Sequence, residues 1–418
     1  MPSAAEVQQI TAELLVARDR SLLRRPIDEI LARLSEAVEP WFAPNSPLRA
    51  RAECELPEAT GFSAAMIRHG LPLMLEPLRA DAVGRLLDAE LGDRHRLNGA
   101  TGGPSLILHV LSGNLPALAA VPLVLSLAIK SAVLVKPSHA ERVFPSLFIE
   151  SLGIVDAELS QCAAALYWPG GRLDVETAAF AAANLVVASG NDATIADLAR
   201  RVPGRFIGHG HRISFAVVAR EALDEAEPVA QRLAYDVSLW DQQGCLSPQL
   251  VYVERGGAIG VERFAEILGQ QLARLACELP TRRLAFDEQV AIQRFRQEAE
   301  WRAVRGEEVA VFASPGGVGW TVVYDSAPAF TPTPLNRTIW AKPIDALADL
   351  SALLAPPRSY LEAAGIAVPP SRCGELAGLL TNAGVHRVCR LGDMQRPDLT
   401  WRPGGGSRVA EWCESVAA

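Results

Sequence analysis

The sequence predicts an α/β protein built from two doubly wound blocks, each a sheet covered by helices. From about Ser105 onward, short β-branched runs alternate with alanine- and leucine-rich stretches, a pattern typical of repeated strand–helix crossovers. The chain also has 418 residues, which is too many for one compact core. We therefore expect more than one domain.

The first block follows about a hundred residues that we expect to be mainly helical, with apolar side chains at helical spacing in Ile27–Ala37. Three buried, β-branched runs are its predicted strands: Ser131–Val135, Leu185–Ala188 and Ile213–Ala219. Ala140–Leu152 and Asp192–Arg201 are the predicted crossover helices.

The second block has three predicted strands: Gln249–Val253, Val309–Phe312 and Trp320–Tyr324. The long charged stretch Ile259–Glu300 is predicted to be helical. We expect a first domain over residues 1–220 and a second over residues 221–390. Residues 391–418 are expected to form a loop-rich tail that packs on the other domains or on a partner subunit.

The composition excludes several functional classes. Hydrophobic residues make up 49% and charged residues 21%, as in ordinary globular proteins. The net charge is −8 without a basic block, so we expect no nucleic-acid partner. The longest apolar stretch, Ala117–Ile129, is too short to span a membrane. The seven cysteines show neither CxxC pairs nor metal-ligand spacing, and the chain opens without a secretory apolar segment. We therefore expect reduced thiols, no metal and a cytoplasmic location.

The first candidate site segment is Ser112–Pro116, followed by an apolar helix and a strand that ends in Lys136-Pro137-Ser138-His139. Ligands of open α/β sheets bind at the carboxyl ends of strands. A lysine at that position can hold ribose hydroxyls or a phosphate. The alternative is a strand-end lysine that reaches solvent.

The second segment is Asp241–Gln249, a polar turn around Gly244-Cys245 just before a buried strand. The small residue before Cys245 lets a substrate approach its sulfur, and backbone N–H groups of such a turn can bind a developing oxyanion. The alternative is an inert cysteine in a turn.

The third segment contains two histidines, His209 and His211, next to Arg212. They are candidates for acid–base work or anion binding, but two ligands are too few for a zinc site. The alternative is a solvated loop. No GxGxxG fingerprint follows any predicted strand, so a bound nucleotide would need another device.

The order and spacing of these segments resemble the aldehyde dehydrogenase superfamily. The segment WDQQGCLSPQ at Trp240–Gln249 resembles most closely its acyl-CoA reductase branch, the LuxC-type fatty acid reductases. The resemblance covers roughly Leu106 to the C-terminus. It implies an aldehyde dehydrogenase-like fold, with two doubly wound α/β domains and the active site between them. Residues 1–220 would contain an NADP-binding, Rossmann-like domain, and residues 221–390 the catalytic domain.

The resemblance also implies roles for individual residues. Cys245 corresponds to the catalytic thiol, and Asn114 to the asparagine that helps to form the oxyanion hole. Lys136 corresponds to the lysine that binds the adenosine ribose or a 2′-phosphate. Ser189-Gly190 resembles the short turn that opens a helix beside the pyrophosphate.

Three departures from the superfamily are informative. Acid-forming members carry a water-activating glutamate where this chain has Gly208–Arg212, so reduction is favoured over oxidation. His139, in the segment Lys136–Arg142, stands where NAD-preferring relatives often hold a glutamate. A glutamate would repel the 2′-phosphate, so the histidine favours NADPH. Trp401–Gly405 differs from the Trp-x-His-Asp-Gly of the branch, which leaves the substrate class less defined than the reaction.

The sequence therefore predicts an enzyme: an acyl-CoA reductase that uses NADPH to reduce a fatty acyl-CoA or related thioester to an aldehyde, through an acyl-Cys245 intermediate. Ser138, His139 and Arg142 join Lys136 as expected cofactor residues, and His209 or His211 is a candidate proton donor. The acyl donor is expected to be acyl-CoA or a carrier- or synthetase-bound acyl group, and the chain a homo-oligomer that associates with an acyl-activating enzyme. Alternatives are an aldehyde dehydrogenase running towards the acid, a thioesterase or acyltransferase, and a non-catalytic acyl-holding subunit.

Overall fold

The computed structural model describes residues 1–98, 102–113 and 115–413. The chain divides into two compact units. Unit 1 consists of Met1–Thr60, Ile67–His211 and the chain from Asp398 onward. Unit 2 consists of Gly61–Met66 and Arg212–Pro397. The chain leaves unit 1 after His211, so the run Ile213–Ala219, which the sequence assigned to the first block, is part of unit 2. Its strand pairs within the seven-stranded sheet of that unit.

The first 98 residues are mainly helical, as the sequence predicted. The first helix begins at a capping box, in which Ser3 and Glu6 satisfy each other's backbone N–H groups. The helices of this segment are α1 (Ala4–Ala17), α2 (Ile27–Val38), α3 (Pro47–Thr60), α4 (Ala64–Leu75) and α5 (Ala80–Leu91). Single π- or 3₁₀-helical turns lie at Arg18–Leu22, Glu39–Trp41, Glu76–Leu78 and Arg94–Asn98.

Unit 1 contains a five-stranded sheet in which every neighbouring pair is parallel. Its strands are β1 (Leu106–Val110), β2 (Ala132–Lys136), β3 (Ala163–Ala165), β4 (Leu185–Ser189) and β5 (Arg205–His209). The helices between them are α6 (Ala120–Ala128), α7 (Phe144–Val155), α8 (Ala157–Ser160), α9 (Leu173–Ala182) and α10 (Asp192–Arg201).

The strand order β3-β2-β1-β4-β5 reverses direction between β1 and β4. Such a reversal opens a crevice at the carboxyl ends of the two strands, where ligands of doubly wound sheets bind. Apolar side chains of α1 and α9, such as Leu14 and Val175, pack with Leu108 and Val186 of the sheet to form the core of this unit. The expected doubly wound parallel sheet is confirmed.

Unit 2 contains a seven-stranded sheet of order β12-β11-β6-β7-β10-β9-β8. It is parallel except for β8, which pairs antiparallel with β9. The strands are β6 (Ile213–Val218), β7 (Pro248–Glu254), β8 (Val309–Ala313), β9 (Thr321–Asp325), β10 (Thr338–Ile344), β11 (Leu361–Ala367) and β12 (Arg387–Arg390).

The helices of unit 2 are α11 (Ala226–Ser238), α12 (Val261–Glu278), α13 (Phe286–Val304), α14 (Leu350–Leu353) and α15 (Pro370–Asn382). Short 3₁₀ turns lie at Arg220–Glu225, Leu347–Asp349 and Arg358–Tyr360. The stretch predicted as continuously helical is two helices, because Pro280 follows the last turn of α12 and cannot continue it. Buried side chains such as Phe215, Tyr252 and Val323 form the core.

The chain from Asp398 packs on unit 1 and ends, within the described residues, in the short helix α16 (Ala410–Cys413). The Arg205 guanidinium donates hydrogen bonds to the backbone oxygens of Trp412 and Glu411, at 2.9 and 2.7 Å. The Glu90 carboxylate accepts from the backbone N–H groups of residues 408–410. None of the helices in the described ranges is both long and apolar enough to cross a membrane.

Candidate functional site

The carboxyl edge of the unit 1 sheet gathers most of the residues predicted to bind a cofactor. Lys136 is the last residue of β2, and Ser189 is the last residue of β4. Gly113 follows β1, the strand between them, and has the left-handed φ of 81° that favours glycine. Parallel strands place these three positions side by side.

Two hydroxyl groups connect the loops of this edge. Ser112 donates its backbone N–H to Ser189 Oγ at 3.3 Å, across the reversal between β1 and β4. Ser138 Oγ donates to the backbone oxygen of Gly113 and accepts from the Glu141 N–H. The loops after β1, β2 and β4 therefore form one connected rim.

Lys136 is the cation of this rim. Burial lowers the pKa of Lys136, and the nearby Glu176 carboxylate acts in the opposite direction by favouring the charged amine. Glu176 is itself held by Arg201 and by the backbone N–H of Gly171.

His139 and Arg142 both contact Tyr167, which follows β3. His139 Nδ1 lies 2.9 Å from the Tyr167 hydroxyl, and the Arg142 guanidinium lies 4.5 Å from the centre of the Tyr167 ring. A cavity of about 630 Å³ borders Arg142, Leu166 and Tyr167 and is lined on another side by Glu6, Gln9 and Ile10 of α1.

Glu141, between these two residues, is the carboxylate that the sequence reasoning left out. It is only 5% exposed, and its Oε1 accepts from the backbone N–H groups of Val143 and Phe144 at the start of α7. Burial raises the pKa of Glu141 to about 7, although the two N–H groups favour the carboxylate. The Glu141 carboxyl group therefore interacts with the N-terminus of α7 and not with the rim.

The two candidate histidines lie at the same end of the sheet. His209 is the last residue of β5, opposite Ser189 of β4, and its backbone oxygen accepts from the Gly190 N–H at 3.1 Å. The His211 backbone N–H donates to Asp192 at 2.9 Å. His209 therefore lies on a strand, and the solvated-loop alternative is wrong for it. A side chain at Gly208 would come within 2.5 Å of Ile195, so glycine lets α10 approach β5 closely.

The donor set of this rim fits a dinucleotide. It combines an amine at Lys136, hydroxyls at Ser112, Ser138 and Ser189, and the amino terminus of α10, whose Asn191 cap leaves further N–H groups in the first turn. These are the groups that bind ribose hydroxyls and phosphate oxygens. No cluster of three or more metal-ligating side chains occurs in the described ranges.

Cys245 lies in unit 2, on the turn between α11 and β7. It is exposed, whereas the next five residues, Leu246–Leu250, are buried. Cys54 and Cys277 are also exposed, so exposure alone does not single it out. Burial raises the pKa of three other thiols, Cys162, Cys389 and Cys413, to about 12 for Cys389 and about 11 for Cys413, and keeps them protonated.

The backbone of Cys245 is anchored by Ser214. Ser214 Oγ donates to the Cys245 oxygen at 2.7 Å and accepts from the Ala363 N–H at 3.1 Å. Ser214 is fully buried in β6, where the pairing with both neighbouring strands is irregular. Its hydroxyl thus replaces a ladder hydrogen bond and fixes the turn that carries Cys245 to the sheet.

The turn begins with three consecutive residues in the left-handed region: Trp240, Asp241 and Gln242, with φ of 57°, 48° and 61°. A second such run, Leu335–Arg337, precedes β10, with φ of 60°, 56° and 58°. L-residues in this region cost about 1–2 kcal/mol each. Each run thus costs about 3–6 kcal/mol, which other contacts must offset.

Buried polar contacts join the two runs. Asp241 Oδ1 accepts from Arg337 Nε at 2.5 Å, and both side chains are at most 1% exposed. The Gln242 side chain accepts from the Thr338 N–H at 2.7 Å and donates to the Thr338 oxygen at 3.0 Å. Trp240 is buried against Phe62. The first three residues of the segment that resembles the LuxC-type reductases, Trp240–Gln242, are therefore buried and stabilise the turn. They do not reach the surface.

Sequence reasoning singled out Cys245 but not Ser214, Asn336 or Arg337, which contact Cys245, Gln243 and Asp241 of its turn. A serine inside an apolar strand and a left-handed run without glycine give no local signal; only Asp241 and Asn336 are of types that tolerate this conformation. Asn114, the expected oxyanion donor, lies outside the described residues.

A family model described as Acyl-CoA reductase (LuxC) matches residues 22–408. Among curated proteins, the chain is similar to long-chain acyl-protein thioester reductase 2 of Photobacterium leiognathi, with 24% identity over 251 residues. It is equally similar to the long-chain acyl-protein thioester reductase of Aliivibrio fischeri, with 24% identity over 253 residues. Each match covers 58% of this chain and 50% of the relative, so the chain spans about half the length of the curated relatives it matches.

Solved structures of aldehyde dehydrogenases share the fold. Aldehyde dehydrogenase 21 of Physcomitrella patens superposes with a TM-score of 0.73 at 12% identity, over 100% of this chain and 89% of that one. A benzaldehyde dehydrogenase of Corynebacterium glutamicum gives a TM-score of 0.68 at 15% identity, over 95% and 88%. The resemblance seen in the sequence is confirmed: the chain has the aldehyde dehydrogenase fold and belongs to the acyl-CoA reductase (LuxC) family.

Proposed function

We propose that the chain is an NADPH-dependent acyl thioester reductase that releases an aldehyde, with Cys245 as its nucleophile. The observation that carries this proposal is the presentation of Cys245. Its side chain is exposed on a turn whose flanks are buried and whose carbonyl is tied to Ser214. Membership of the LuxC family gives this thiol its reaction class.

In the proposed reaction the Cys245 thiolate attacks the carbonyl carbon of the thioester, and backbone N–H groups of the turn stabilise the oxyanion. Asn114 is proposed as a second oxyanion donor, and losing one such donor typically costs about 10²–10³ in turnover. The C–S bond to the acyl carrier then breaks, and the departing thiolate takes a proton, for which His209 and His211 are the candidate donors. A bound nicotinamide cofactor supplies the hydride that reduces the acyl group, and collapse of the thiohemiacetal returns Cys245.

The preference for NADPH rests on the charges near Lys136. His139 and Arg142 bring donors and positive charge to Tyr167, and the one carboxylate of this segment, Glu141, is used at the start of α7. A 2′-phosphate therefore meets cations and hydroxyls here, and Glu176, the other carboxylate near Lys136, is paired with Arg201. Ser138, Ser189 and Gly190 are proposed to bind the rest of the cofactor.

The decisive experiment mixes the protein with decanoyl-CoA, or with the same acyl group as a protein-bound thioester, and measures its intact mass. We expect one acyl adduct on Cys245, none in Cys245→Ala, and aldehyde only when NADPH is added. Cys277→Ala, which removes another exposed thiol, is the matched control and should behave like the wild type. Aldehyde production by Cys245→Ala would refute the proposal.

The cofactor preference is tested by fluorescence titration. Arg142→Ala should weaken NADPH binding about 10–100-fold, the loss of one charge-assisted contact of about 1.5–3 kcal/mol, and leave NADH binding unchanged. Arg172→Ala, which removes an exposed arginine paired with Asp174 in the same unit, is the control. An equal loss for both cofactors would contradict the assigned role.

We also propose that the chain forms a homo-oligomer served by an acyl-activating enzyme. Support comes from α13, which exposes Phe286, Val290, Trp301 and Val304. Their spacing of 4, 15 and 18 residues from Phe286 places them on one helix face, and exposed apolar patches often mark contacts between proteins. Light scattering should show an oligomer that Trp301→Asp weakens; a monomer at micromolar concentration would refute the oligomer.

A further inference from the structure

We infer that the two left-handed runs, Trp240–Gln242 and Leu335–Arg337, form a clamp that positions the Cys245 thiol for acyl transfer. The inference rests on the proposed function of Cys245. Asp241 and Asn336 are its positioning residues. They act on the reaction through the backbone of the nucleophile turn and not by touching the substrate.

The first link of the clamp is the buried ion pair of Asp241 and Arg337. Asp241 uses both carboxylate oxygens, one for Arg337 Nε and one for the backbone N–H of Arg282 at 2.8 Å. Arg337 also donates to the Leu279 oxygen at 2.7 Å. The pair therefore ties the start of the nucleophile turn to the residues that follow α12.

The second link is Asn336, whose Oδ1 accepts hydrogen bonds from three N–H groups of two side chains. Gln243 Nε2 lies 3.0 Å away, and the Arg282 guanidinium contributes two contacts at 3.0 and 3.2 Å. Gln243 is separated from Cys245 by Gly244 alone. One amide oxygen thus restrains the chain two residues before the thiol.

The other side of the turn is restrained independently. Ser214 fixes the Cys245 carbonyl, and Ser247 Oγ accepts from Gln395 at 3.0 Å. The exposed thiol thus lies on a short segment held at both ends. If the clamp were loosened, the left-handed residues would relax towards the right-handed region that L-residues prefer, and Cys245 would shift. A displacement of about 1 Å costs about 10²-fold in rate when geometry limits the reaction.

The test variant is Asn336→Gly, because glycine adopts the left-handed φ of residue 336 freely. It removes the acceptor without straining the backbone. Rapid-quench mass spectrometry with decanoyl-CoA gives both the rate constant and the amplitude of Cys245 acylation. We expect the rate constant to fall about 10–100-fold while the amplitude stays near one adduct per chain. Asp241→Asn should have the same kinetic effect in the molecules that fold.

The matched control is Asp325→Asn. Asp325 is also buried and also paired with cations, Lys342 and Arg302. It is the last residue of β9 and therefore lies at the carboxyl ends of the parallel strands, whereas Cys245 precedes the amino end of β7. A substitution that only destabilises the protein lowers the folded fraction, and with it the amplitude, but leaves the rate constant of the folded molecules unchanged. Asp325→Asn should behave in that way.

Wild-type rate constants in Asn336→Gly and Asp241→Asn would overturn the clamp while leaving the proposed function intact. Equal losses of rate constant in Asp325→Asn would also overturn it, because the effect would then be general to buried ion pairs. A wild-type protein that forms no adduct on Cys245 with either acyl donor would instead refute the proposed function and the clamp together.

Discussion

The buried carboxyl group of Glu141 leads to a prediction about stability and pH. Its Oε1 accepts from the backbone N–H groups of Val143 and Phe144, at 3.0 and 2.8 Å. Burial raises its pKa from an ordinary 4.5 to about 7. The folded protein therefore binds this proton more tightly than the unfolded chain.

The sign of the effect follows from this difference. The stabilising contribution of the protonated group is fully present below pH 4.5, and it is lost as the pH rises through about 7. A pKa difference of about 2.5 corresponds to about 3 kcal/mol, because one pKa unit corresponds to about 1.4 kcal/mol. At pH 8 the folded state therefore bears the cost of a buried carboxylate.

Glu141→Gln removes this cost and keeps the hydrogen bonds, because both N–H groups donate to the same oxygen. In urea unfolding followed by circular dichroism, the variant should be more stable than the wild type at pH 8, by up to about 3 kcal/mol. The difference should shrink towards pH 5. A variant that is less stable at pH 8, or a difference independent of pH, would refute the reasoning.

Glu254→Gln is the control with the opposite sign. Burial on its own would raise the pKa of Glu254, but hydrogen bonds from Arg372 and Arg220 outweigh it and lower that pKa to about 2. Its contribution is present above pH 4.5 and is lost as the pH falls through about 2. Glu254→Gln should therefore destabilise the protein at pH 8, and the difference should fade in acid.

Ser214→Ala should lower the unfolding free energy by about 1–3 kcal/mol because the buried Ala363 N–H loses its acceptor. Ser238→Ala should be nearly neutral in the same urea unfolding experiment, because the buried Ser238 hydroxyl has no hydrogen-bond partner within the described chain; equal losses would contradict this. Peptide mapping after iodoacetamide at pH 8 should find Cys245 modified, and prior acylation should protect it. The three thiols whose pKa is raised by burial should react slowest: Cys162, Cys389 and Cys413. His109 is fully buried, and burial, followed by the His209 charge, lowers its pKa to about 3. Its contribution is present above pH 6.5 and is lost as the pH falls towards 3, so His109→Gln should flatten the decline of the urea midpoint between pH 6.5 and 4.

Several of the strands that sequence alone located have β-branched, buried side chains on both faces. Val133–Val135 of β2 and Val186–Val187 of β4 are examples. Among the strands that sequence reasoning did not find are β3, which consists of three alanines, and β10, which contains Lys342 and Pro343. Proline is rare in central strands and lysine is rarely buried. Here the Asp325 carboxylate accepts a hydrogen bond from the Lys342 amine, and only the tertiary structure reveals this partner.

The same distinction applies to the candidate site. Lys136 was predictable because a strand end is a local feature, and Ser189 because its turn resembles that of the aldehyde dehydrogenase superfamily. Parallel pairing then brings the two residues to the same end of the sheet. The contact of Asp241 with Arg337 joins residues 96 positions apart in the chain. Each left-handed run is unfavourable by itself, so no local propensity predicts it. Each run is stabilised by the buried hydrogen bonds that connect it to the other.

The path of the chain through unit 1 bears on how the protein folds during synthesis. Residues from Asp398 belong to this unit but follow all of unit 2 in the chain. Domains generally fold in the order in which they leave the ribosome. Folding of unit 1 is then complete only after Trp412 has been made. Until that point the surface around Arg205 and His109 is uncovered. The unit whose synthesis begins first is thus completed last, and its folding depends on a segment that is made after all of unit 2.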